Sequence, residues 1–343
     1  MNDPAKPPDS KSEAEEPSKP RRFKGPPTLL PFAKWWPLLI GAFTGIALRL
    51  IFSGKPGGLF SVMEAPFVYL VPALVGAVTV FAAESKGRRT WGYYVWAPVL
   101  ANSLFVLGTL LILIEGLICA VLVLPLFGII SAIGGLIMGA VCRLTRHGKS
   151  TIYGFAALPL LFGALPASEV DLTRVQTVER TLLINRSATR IWQEIHSVRD
   201  IQPDELNQAW MYRIGVPLPL AGITEQTPSG PIRKVTMGKA VHFDQVATAW
   251  QENRHVRWIY RFYPDSFPPQ ALDDHVTIGG RYFDLIDTEY TLQPIDPDST
   301  SLKIKMSYRV STQFNWYADE VARLLVGNFE EVILAFYRGR AEK

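Results

Sequence analysis

The feature that most constrains this chain is a series of long apolar runs confined to its N-terminal half. A helix needs about 20 apolar residues to cross the ~30 Å hydrocarbon core of a bilayer. Runs of this order cover residues 35–52, 59–83 and 91–142. The last run is too long for one helix, and we predict that it folds at Glu115-Gly116 into a hairpin of two spans. The sequence therefore predicts four membrane spans and excludes a wholly soluble or fibrous chain.

A fifth apolar run, residues 152–167, is shorter, and it decides on which side of the membrane the rest of the chain lies. Its 16 residues rise about 24 Å as a helix, which is marginal for a span. The loops at one side of the spans contain ten basic residues: Arg21, Arg22, Lys24, Lys34, Lys86, Arg88, Arg89, Arg143, Arg146 and Lys149. The opposite loops contain only Lys55. Because Lys and Arg concentrate in cytoplasmic loops, we expect a cytoplasmic N-terminus. If the fifth run spans, the chain after it lies outside the cytoplasm.

Two ionisable residues lie near the outer ends of the first two spans. Arg49 ends the first span and Glu64 begins the second, on either side of a short Gly-rich turn. Charge in hydrocarbon is costly and often marks a transport pathway. The simpler interpretation is that the two side chains form an ion pair at the membrane edge.

Composition divides the chain into three regions. Residues 1–34 are rich in Pro, Lys, Glu and Ser, which predicts a disordered cytoplasmic tail. Residues 35–167 form a transmembrane region of about five helices, and residues 170–343 form a separate domain. Residues 1–165 hold 15 Lys and Arg against 8 Asp and Glu, whereas the remainder holds 20 against 23. Because the basic excess accompanies the apolar runs, we expect the lipid bilayer as a partner and no nucleic acid. The sequence identifies no protein partner. We expect a multi-pass protein of the bacterial inner membrane type.

After residue 175 the apolar period changes to the alternation that is typical of strands. The predicted strands are residues 178–184, 209–214, 232–237, 240–250, 256–263, 281–292 and 302–312. Two short helices are predicted, one beginning after Ser187 and one over residues 203–208, and a long helix covers 316–338. Residues 256–262 and 302–310 are apolar at alternate positions, which predicts an antiparallel sheet with one wet face.

The opening VERTLLINRSATRIW, the order of these elements and the terminal helix resemble the helix-grip fold. This is the SRPBCC superfamily of START lipid-transfer domains, polyketide cyclases/dehydrases and the birch-pollen allergen. The resemblance covers roughly residues 175–340. It implies an α+β domain whose antiparallel sheet wraps around the long C-terminal helix, here fused to an α-helical transmembrane bundle. It implies a fold and not one activity, because members of the superfamily bind or transform very different hydrophobic ligands.

In this fold a cavity lies between the sheet and the last helix. Seven side chains of the inward faces are predicted to line it and to bind the ligand: Trp258, Tyr260, Phe262, Tyr282, Tyr290, Met306 and Tyr308. Apolar walls with several hydroxyls suit a lipid or another hydrophobic small molecule. The alternative is that the same residues fill a solid core.

Two other functions remain possible from the sequence. The first is an enzyme of the polyketide cyclase/dehydrase type, with His242, Asp244 or Asp284 as acid or base. However, the opposite face of the His242 strand is at least as apolar, so we expect His242 and Asp244 in water and assign no catalytic residue. The second is a sensor or assembly factor that signals ligand occupancy through the spans. The leading hypothesis is membrane-anchored binding, or transfer, of a hydrophobic ligand.

No cofactor and no metal site are predicted. The cluster Asp273-Asp274-His275 holds metal-ligand residue types, but consecutive residues rarely converge on one ion. The chain contains none of the common nucleotide, zinc-protease or nucleophile-elbow motifs in a suitable context. The proline-rich segment 264–274 leads into this cluster. Three alternatives are open for it: it covers the cavity, it touches the bilayer, or it is an ordinary connection.

Overall fold

The structure is a computed structural model that describes residues 35–55, 58–145, 148–165, 173–269, 271–273 and 275–343. The predicted disordered tail, residues 1–34, lies outside the described residues. The predicted boundary between the membrane region and the C-terminal domain, at 167–170, also lies outside them. The positions of both boundaries stay predictions.

The described part of the N-terminal half contains five α-helices, which we call the N-terminal bundle. They are α1 (Trp36–Ile51), α2 (Val71–Glu84), α3 (Trp91–Leu111), α4 (Leu117–Leu144) and α5 (Gly148–Gly163), and a π-helical turn, Pro66–Leu70, leads into α2. The break between α3 and α4 contains Glu115 and Gly116, as predicted. Among the described residues, three helices are long and apolar enough to cross a membrane: Pro66–Glu84, Trp91–Leu111 and Leu117–Leu144. Helices α1 and α5 are apolar but shorter.

Small residues allow the helices of the bundle to pack closely. Gly76 of α2 lies against the backbone of α4, and a Cβ atom built on it would stand 1.9 Å from the carbonyl oxygen of Ser131. Gly139 of α4 lies in the same way against the ring of Tyr94. Small residues at such positions let the backbones of neighbouring helices approach closely.

The predicted ion pair between Arg49 and Glu64 is wrong. The Arg49 guanidinium binds the Glu115 carboxylate at 2.5 Å, because the α3–α4 turn lies beside the end of α1. The Glu64 carboxylate instead accepts a hydrogen bond from the side-chain amide of Gln313, which belongs to the C-terminal half.

We call residues 173–343 the C-terminal domain. Its described residues include a sheet of eight strands. The strands are β1 (Arg174–Ile184), β2 (Ser197–Val198), β3 (Pro219–Thr227), β4 (Gly230–Met237), β5 (His242–Gln251), β6 (His255–Arg261), β7 (Phe283–Asp296) and β8 (Ser299–Val310). Their order is β1-β8-β7-β6-β5-β4-β3-β2, with every neighbouring pair antiparallel. Three short helices, α6 (Ala188–His196), α7 (Pro203–Leu206) and α8 (Trp210–Arg213), precede β3, and α9 (Asn315–Ala341) ends the chain. A curled antiparallel sheet packed against a long C-terminal helix is the helix-grip fold, as predicted.

One predicted strand in this domain is wrong, and one observed strand was not predicted. Residues 209–214 form the short helix α8 and not a strand. The backbone N–H of Trp210 donates to the Asn328 side chain of α9 at 2.8 Å, a tertiary contact that the local apolar pattern does not indicate. Strand β3 was not predicted, because prolines and Gly222 interrupt its alternation. The turn before β7 contains Gly279-Gly280, and Gly279 has a positive φ of 77°.

The core of the C-terminal domain lies between α9 and the inner face of the sheet. Leu302, Ile304 and Met306 of β8 are buried, whereas the alternating Lys303 and Lys305 are partly exposed, which confirms the predicted wet face. The inner side of α9 contributes the buried Val326, Ile333, Leu334, Phe336 and Tyr337. Leu324 lies on the outer side of the helix and is 58% exposed.

Candidate functional site: a cavity between the sheet and the last helix

A cavity of about 310 Å³ lies between the inner face of the sheet and α9. Its walls are mainly apolar. Helix α9 contributes side chains along most of its length, among them Val321, Leu325, Phe329, Ile333 and Phe336. Strands β3 to β8 supply the opposite wall. A cavity of this size and character suits a hydrophobic ligand.

One end of the cavity is formed by residues of the N-terminal bundle and of the connection before α2. Met63, Ile118, Leu122 and Val123 are among its lining residues. The hydroxyl of Tyr317, at the start of α9, donates to the carbonyl oxygen of Leu122 at 2.6 Å. The cavity therefore belongs to both halves of the chain, which the sequence did not indicate.

The long segment between β6 and β7 closes the same end. Leu272, His275 and Ile278 line the cavity. The Asp273 carboxylate accepts a hydrogen bond from the backbone N–H of Cys119 at 2.8 Å, in the first turn of α4. A carboxylate at a helix N-terminus satisfies a free backbone donor and interacts favourably with the helix dipole. The segment thus contacts both the cavity and the bundle. Asp274 lies outside the described residues.

The Asp273-Asp274-His275 cluster has no metal-ligand arrangement over the part that is described. Within the described ranges, no group of three or more His, Cys, Asp and Glu side chains converges on a common point.

The opposite end of the cavity is polar. Six polar side chains meet there: Arg233, Gln245, Tyr260, Thr288, Tyr290 and Tyr337. The hydroxyls of Tyr260 and Thr288 are hydrogen-bonded at 2.6 Å. Burial raises the pKa of Tyr260 to about 12 and the pKa of Tyr290 well above its ordinary value. These phenols therefore stay protonated at neutral pH and carry no negative charge.

Four of the seven predicted ligand-binding residues line the cavity, namely Tyr260, Tyr282, Tyr290 and Met306. The structure brings these four together, and ligand binding by them stays a prediction.

The other three, Trp258, Phe262 and Tyr308, lie outside the lining. Trp258 is fully buried in an aromatic cluster, with the ring centroids of Trp250 and His196 each 6.0 Å from its own. Helix α6 covers this part of the sheet, since Trp192 and His196 belong to it. Phe262 packs against Phe243 at 5.7 Å. A strand face predicted to be inward is therefore divided between cavity and solid core.

The residues of the enzyme hypothesis do not line the cavity. The His242 side chain is 41% exposed and lies 3.6 Å from the Asp265 carboxylate. The Asp244 carboxylate accepts a hydrogen bond from the Tyr263 hydroxyl at 2.5 Å. The prediction that these two side chains point away from the cavity is confirmed. Asp284 also lies outside the lining, and its burial raises the pKa of its carboxyl.

Four residues at the polar end of the cavity were not predicted from the sequence: Arg233, Gln245, Thr288 and Tyr337. In β4 the alternation places Arg233 on the same inward face as the buried Val235. A permanently charged side chain on the apolar face of a strand was the signal that could have identified it, because an unpaired charge is rarely buried without a role.

No protein-family model and no curated protein matches this chain. Solved structures resemble it over about half its length. A START superfamily protein from Mycobacterium smegmatis is 16% identical, covering 48% of this chain and 97% of its own, with a TM-score of 0.33. The Zhui aromatase/cyclase from Streptomyces is 14% identical, covering 49% of this chain and 94% of its own, with a TM-score of 0.32. A truncated norcoclaurine synthase from Thalictrum flavum is 15% identical, covering 49% and 98%, with a TM-score of 0.25. The resemblance to START and aromatase/cyclase proteins is thus present for one region of the chain.

Proposed function

We propose that this protein binds a lipid or another hydrophobic molecule in the cavity of its C-terminal domain and exchanges it with the bilayer that holds α1–α5. One observation carries the proposal: the cavity wall is completed by Met63, Ile118 and Leu122, which belong to the membrane region. A ligand that leaves this end of the cavity meets the bundle and its surrounding lipid directly.

The driving force is the burial of apolar surface. Transfer of apolar area from water stabilises by about 25 cal/mol per Å², or ~0.8 kcal/mol for each methylene group. A ligand that passes between bilayer and cavity exchanges one apolar environment for another, so its transfer avoids exposure to water. Holding the cavity at the membrane also raises the effective concentration of ligand at the site.

The membrane orientation is part of the proposal and is supported by the two unlike ends of the bundle. Lys86, Arg89 and Arg143 lie at one end, where the Arg143 guanidinium donates to the Arg89 carbonyl. At the other end, the backbone N–H of Phe60 donates to the carbonyl of Gly163, the last residue of α5, at 2.8 Å. Helix α5 therefore runs from the basic end to the opposite end. This supports α5 as a span, with the C-terminal domain outside the cytoplasm.

Several hydrogen bonds fix the C-terminal domain to this second end. The backbone N–H of Ala65 donates to the Gln313 side chain at 2.6 Å, and the Trp316 indole donates to the Tyr69 hydroxyl at 2.8 Å. These contacts hold the start of α9, and with it the end of the cavity, against the bundle.

The test fills the cavity with a large side chain in the full-length protein. Ala322 lines the cavity on α9, so Ala322→Trp should displace the ligand. Ala335 lies exposed on the outer side of the same helix, and Ala335→Trp is the matched control. Each protein is purified in mild detergent, and its bound lipid is extracted and quantified by mass spectrometry.

We expect Ala322→Trp to lose tenfold or more of the bound lipid, which corresponds to ~1.4 kcal/mol. Ala335→Trp should retain the wild-type amount, and circular dichroism checks that both variants are folded. Equal amounts of lipid in the wild type and both variants would show that the lipid binds elsewhere and would refute the proposal. A wild-type protein that neither retains lipid nor takes up a fluorescent fatty acid would refute it as well.

A further inference from the structure

Arg233 lies at the polar end of the cavity, where the neighbouring strand leaves space for its side chain. Its side chain is only 8% exposed and belongs to the cavity lining. It lies directly over Gly222 of β3, where a Cβ atom would stand 2.6 Å from the nearer guanidinium nitrogen. The absence of a side chain at Gly222 thus provides the space in which the guanidinium lies.

The charge of Arg233 is not compensated within the described part of the chain. Its guanidinium contacts the Gln245 side-chain oxygen and the Tyr337 hydroxyl, both at 3.4 Å, which are long and neutral contacts. Its Nε has no hydrogen-bond partner among the described residues, and it takes part in none of the ion pairs formed there. Because an arginine stays protonated in proteins and the neighbouring phenols stay neutral, the cavity encloses a net positive charge.

A buried charge without a partner is strongly unfavourable, and an anion that reaches it relieves that cost. A guanidinium presents a planar fork of donors that suits carboxylate and phosphate oxygens. Of the cavity-lining residues that the structure describes, none is Asp or Glu and Arg233 is the only Lys or Arg. The partner that fits Arg233 is therefore part of the ligand.

The contacts of α9 place Arg233, a residue of β4, relative to the bundle and so give the ligand an orientation. Tyr317 contacts the bundle through the Leu122 carbonyl, whereas Tyr337 contacts Arg233. These two residues are roughly 20 positions apart on one helix, or about 30 Å at 1.5 Å per residue. The positive charge thus lies at the end of the cavity remote from the bundle.

We propose that Arg233 binds the anionic head group of an amphiphile, a carboxylate or a phosphate ester, whose apolar tail extends toward the bundle and the bilayer. This inference rests on the proposed function and narrows its ligand class. Binding in this orientation places the head group deepest and leaves the tail beside Ile118 and Leu122, where the cavity meets the membrane region.

The experiment compares an acid with its neutral ester on the full-length protein in a non-ionic detergent. The probes are the fluorescent cis-parinaric acid and its methyl ester. The variants are Arg233→Met, which removes the charge at similar length, and Arg233→Lys, which keeps the charge. Lys234→Met is the matched control, because Lys234 is the next residue on the outer face of the sheet and pairs with Glu225. Dodecanoate and dodecyl phosphate, added as competitors, distinguish a carboxylate from a phosphate head group.

We expect wild type and Lys234→Met to bind the acid at least about tenfold more tightly than the ester, because only the acid offers a charged acceptor to the Arg233 guanidinium. Arg233→Met should bind acid and ester within about twofold of each other, and Arg233→Lys should recover part of the preference. The melting temperature of ligand-free Arg233→Met should not fall, because the substitution removes an unpaired buried charge.

Equal wild-type affinities for acid and ester would overturn the head-group assignment while leaving the proposed function intact. Failure of the wild type to bind either probe would instead count against the proposed function. The wild-type comparison decides the question even if Arg233→Met does not fold. A lower melting temperature of Arg233→Met together with an unchanged acid preference would assign Arg233 a structural role only.

Discussion

Glu330 offers a quantitative test of how the C-terminal domain packs. This residue of α9 is fully buried, with 0% exposure, against β8. One carboxyl oxygen accepts a hydrogen bond from the backbone N–H of Met306 at 3.1 Å. The other oxygen has no partner among the described residues. Burial raises the pKa of the Glu330 carboxyl to about 8, so the folded protein holds this side chain protonated at neutral pH.

The raised pKa makes stability depend on pH in a defined direction. The unfolded carboxyl has a pKa near 4.5, so the unfolded chain loses the proton well before the folded chain does. The stability that the neutral group contributes is therefore fully present below pH 4.5 and is lost as pH rises toward 8. At 1.36 kcal/mol per pKa unit, the loss at pH 7 is about 3 kcal/mol. Glu330→Gln, which cannot ionise, should recover this amount at pH 7 and almost none at pH 4.5.

The assay is thermal unfolding of the full-length protein, followed by circular dichroism at pH 4.5 and pH 7. With about 2–4 °C per kcal/mol for a domain of this size, Glu330→Gln should melt roughly 6–12 °C higher than wild type at pH 7. Glu331→Gln is the control, because Glu331 is exposed and its ion pair with Arg180 at 3.1 Å is worth at most about 1 kcal/mol. A stabilisation by Glu330→Gln that is the same at both pH values, or a destabilisation at pH 7, would refute the reasoning.

Three further predictions concern the core, the outer face of the sheet and the topology. Trp258→Ala should reduce the free energy of unfolding by ~3–5 kcal/mol, because the ring packs in a solid cluster. Denaturant titrations should show the same loss with and without cis-parinaric acid. A loss that the added acid reverses would place the Trp258 ring at the ligand. His242→Ala and Asp244→Asn should each leave cis-parinaric acid affinity within about threefold of wild type, or ~0.65 kcal/mol, and a tenfold loss in a folded variant would contradict their outward position. A reporter fused after Lys343 should be extracytoplasmic and one inserted at Lys86 cytoplasmic; a cytoplasmic reporter at Lys343 would show that α5 does not span.

The sequence alone determined those parts of the architecture that follow from a local pattern of residues. Apolar run length predicted the helices of the bundle, and the Glu115-Gly116 pair marked the break between α3 and α4 because it interrupts the hydrophobic stretch. Alternation predicted the inner face of β6 and β8, since successive side chains in a strand point to opposite faces. The entry segment and the terminal helix were enough to indicate the helix-grip fold.

Alternation could not, however, locate the cavity on that face. It assigned Trp258 and Tyr260 of β6 to one inward row, but α6 covers Trp258 whereas Tyr260 lines the cavity. Which part of a sheet face is filled depends on the elements that pack over it, and their positions are not encoded in the period of one strand. The same reason explains α8, whose helical turn is fixed by Asn328 of α9.

Only the tertiary structure decided which distant groups meet. Glu64 is hydrogen-bonded to Gln313 and does not pair with the nearby Arg49. Ile118 of the bundle completes the wall of a cavity in the C-terminal domain. Residues so far apart in the chain share no local pattern, so their contact follows from the docking of the two halves. The burial of Arg233 also follows from the tertiary structure. The pattern of a strand gives the direction of a side chain, but the elements packed around it determine whether its charge contacts water or a partner.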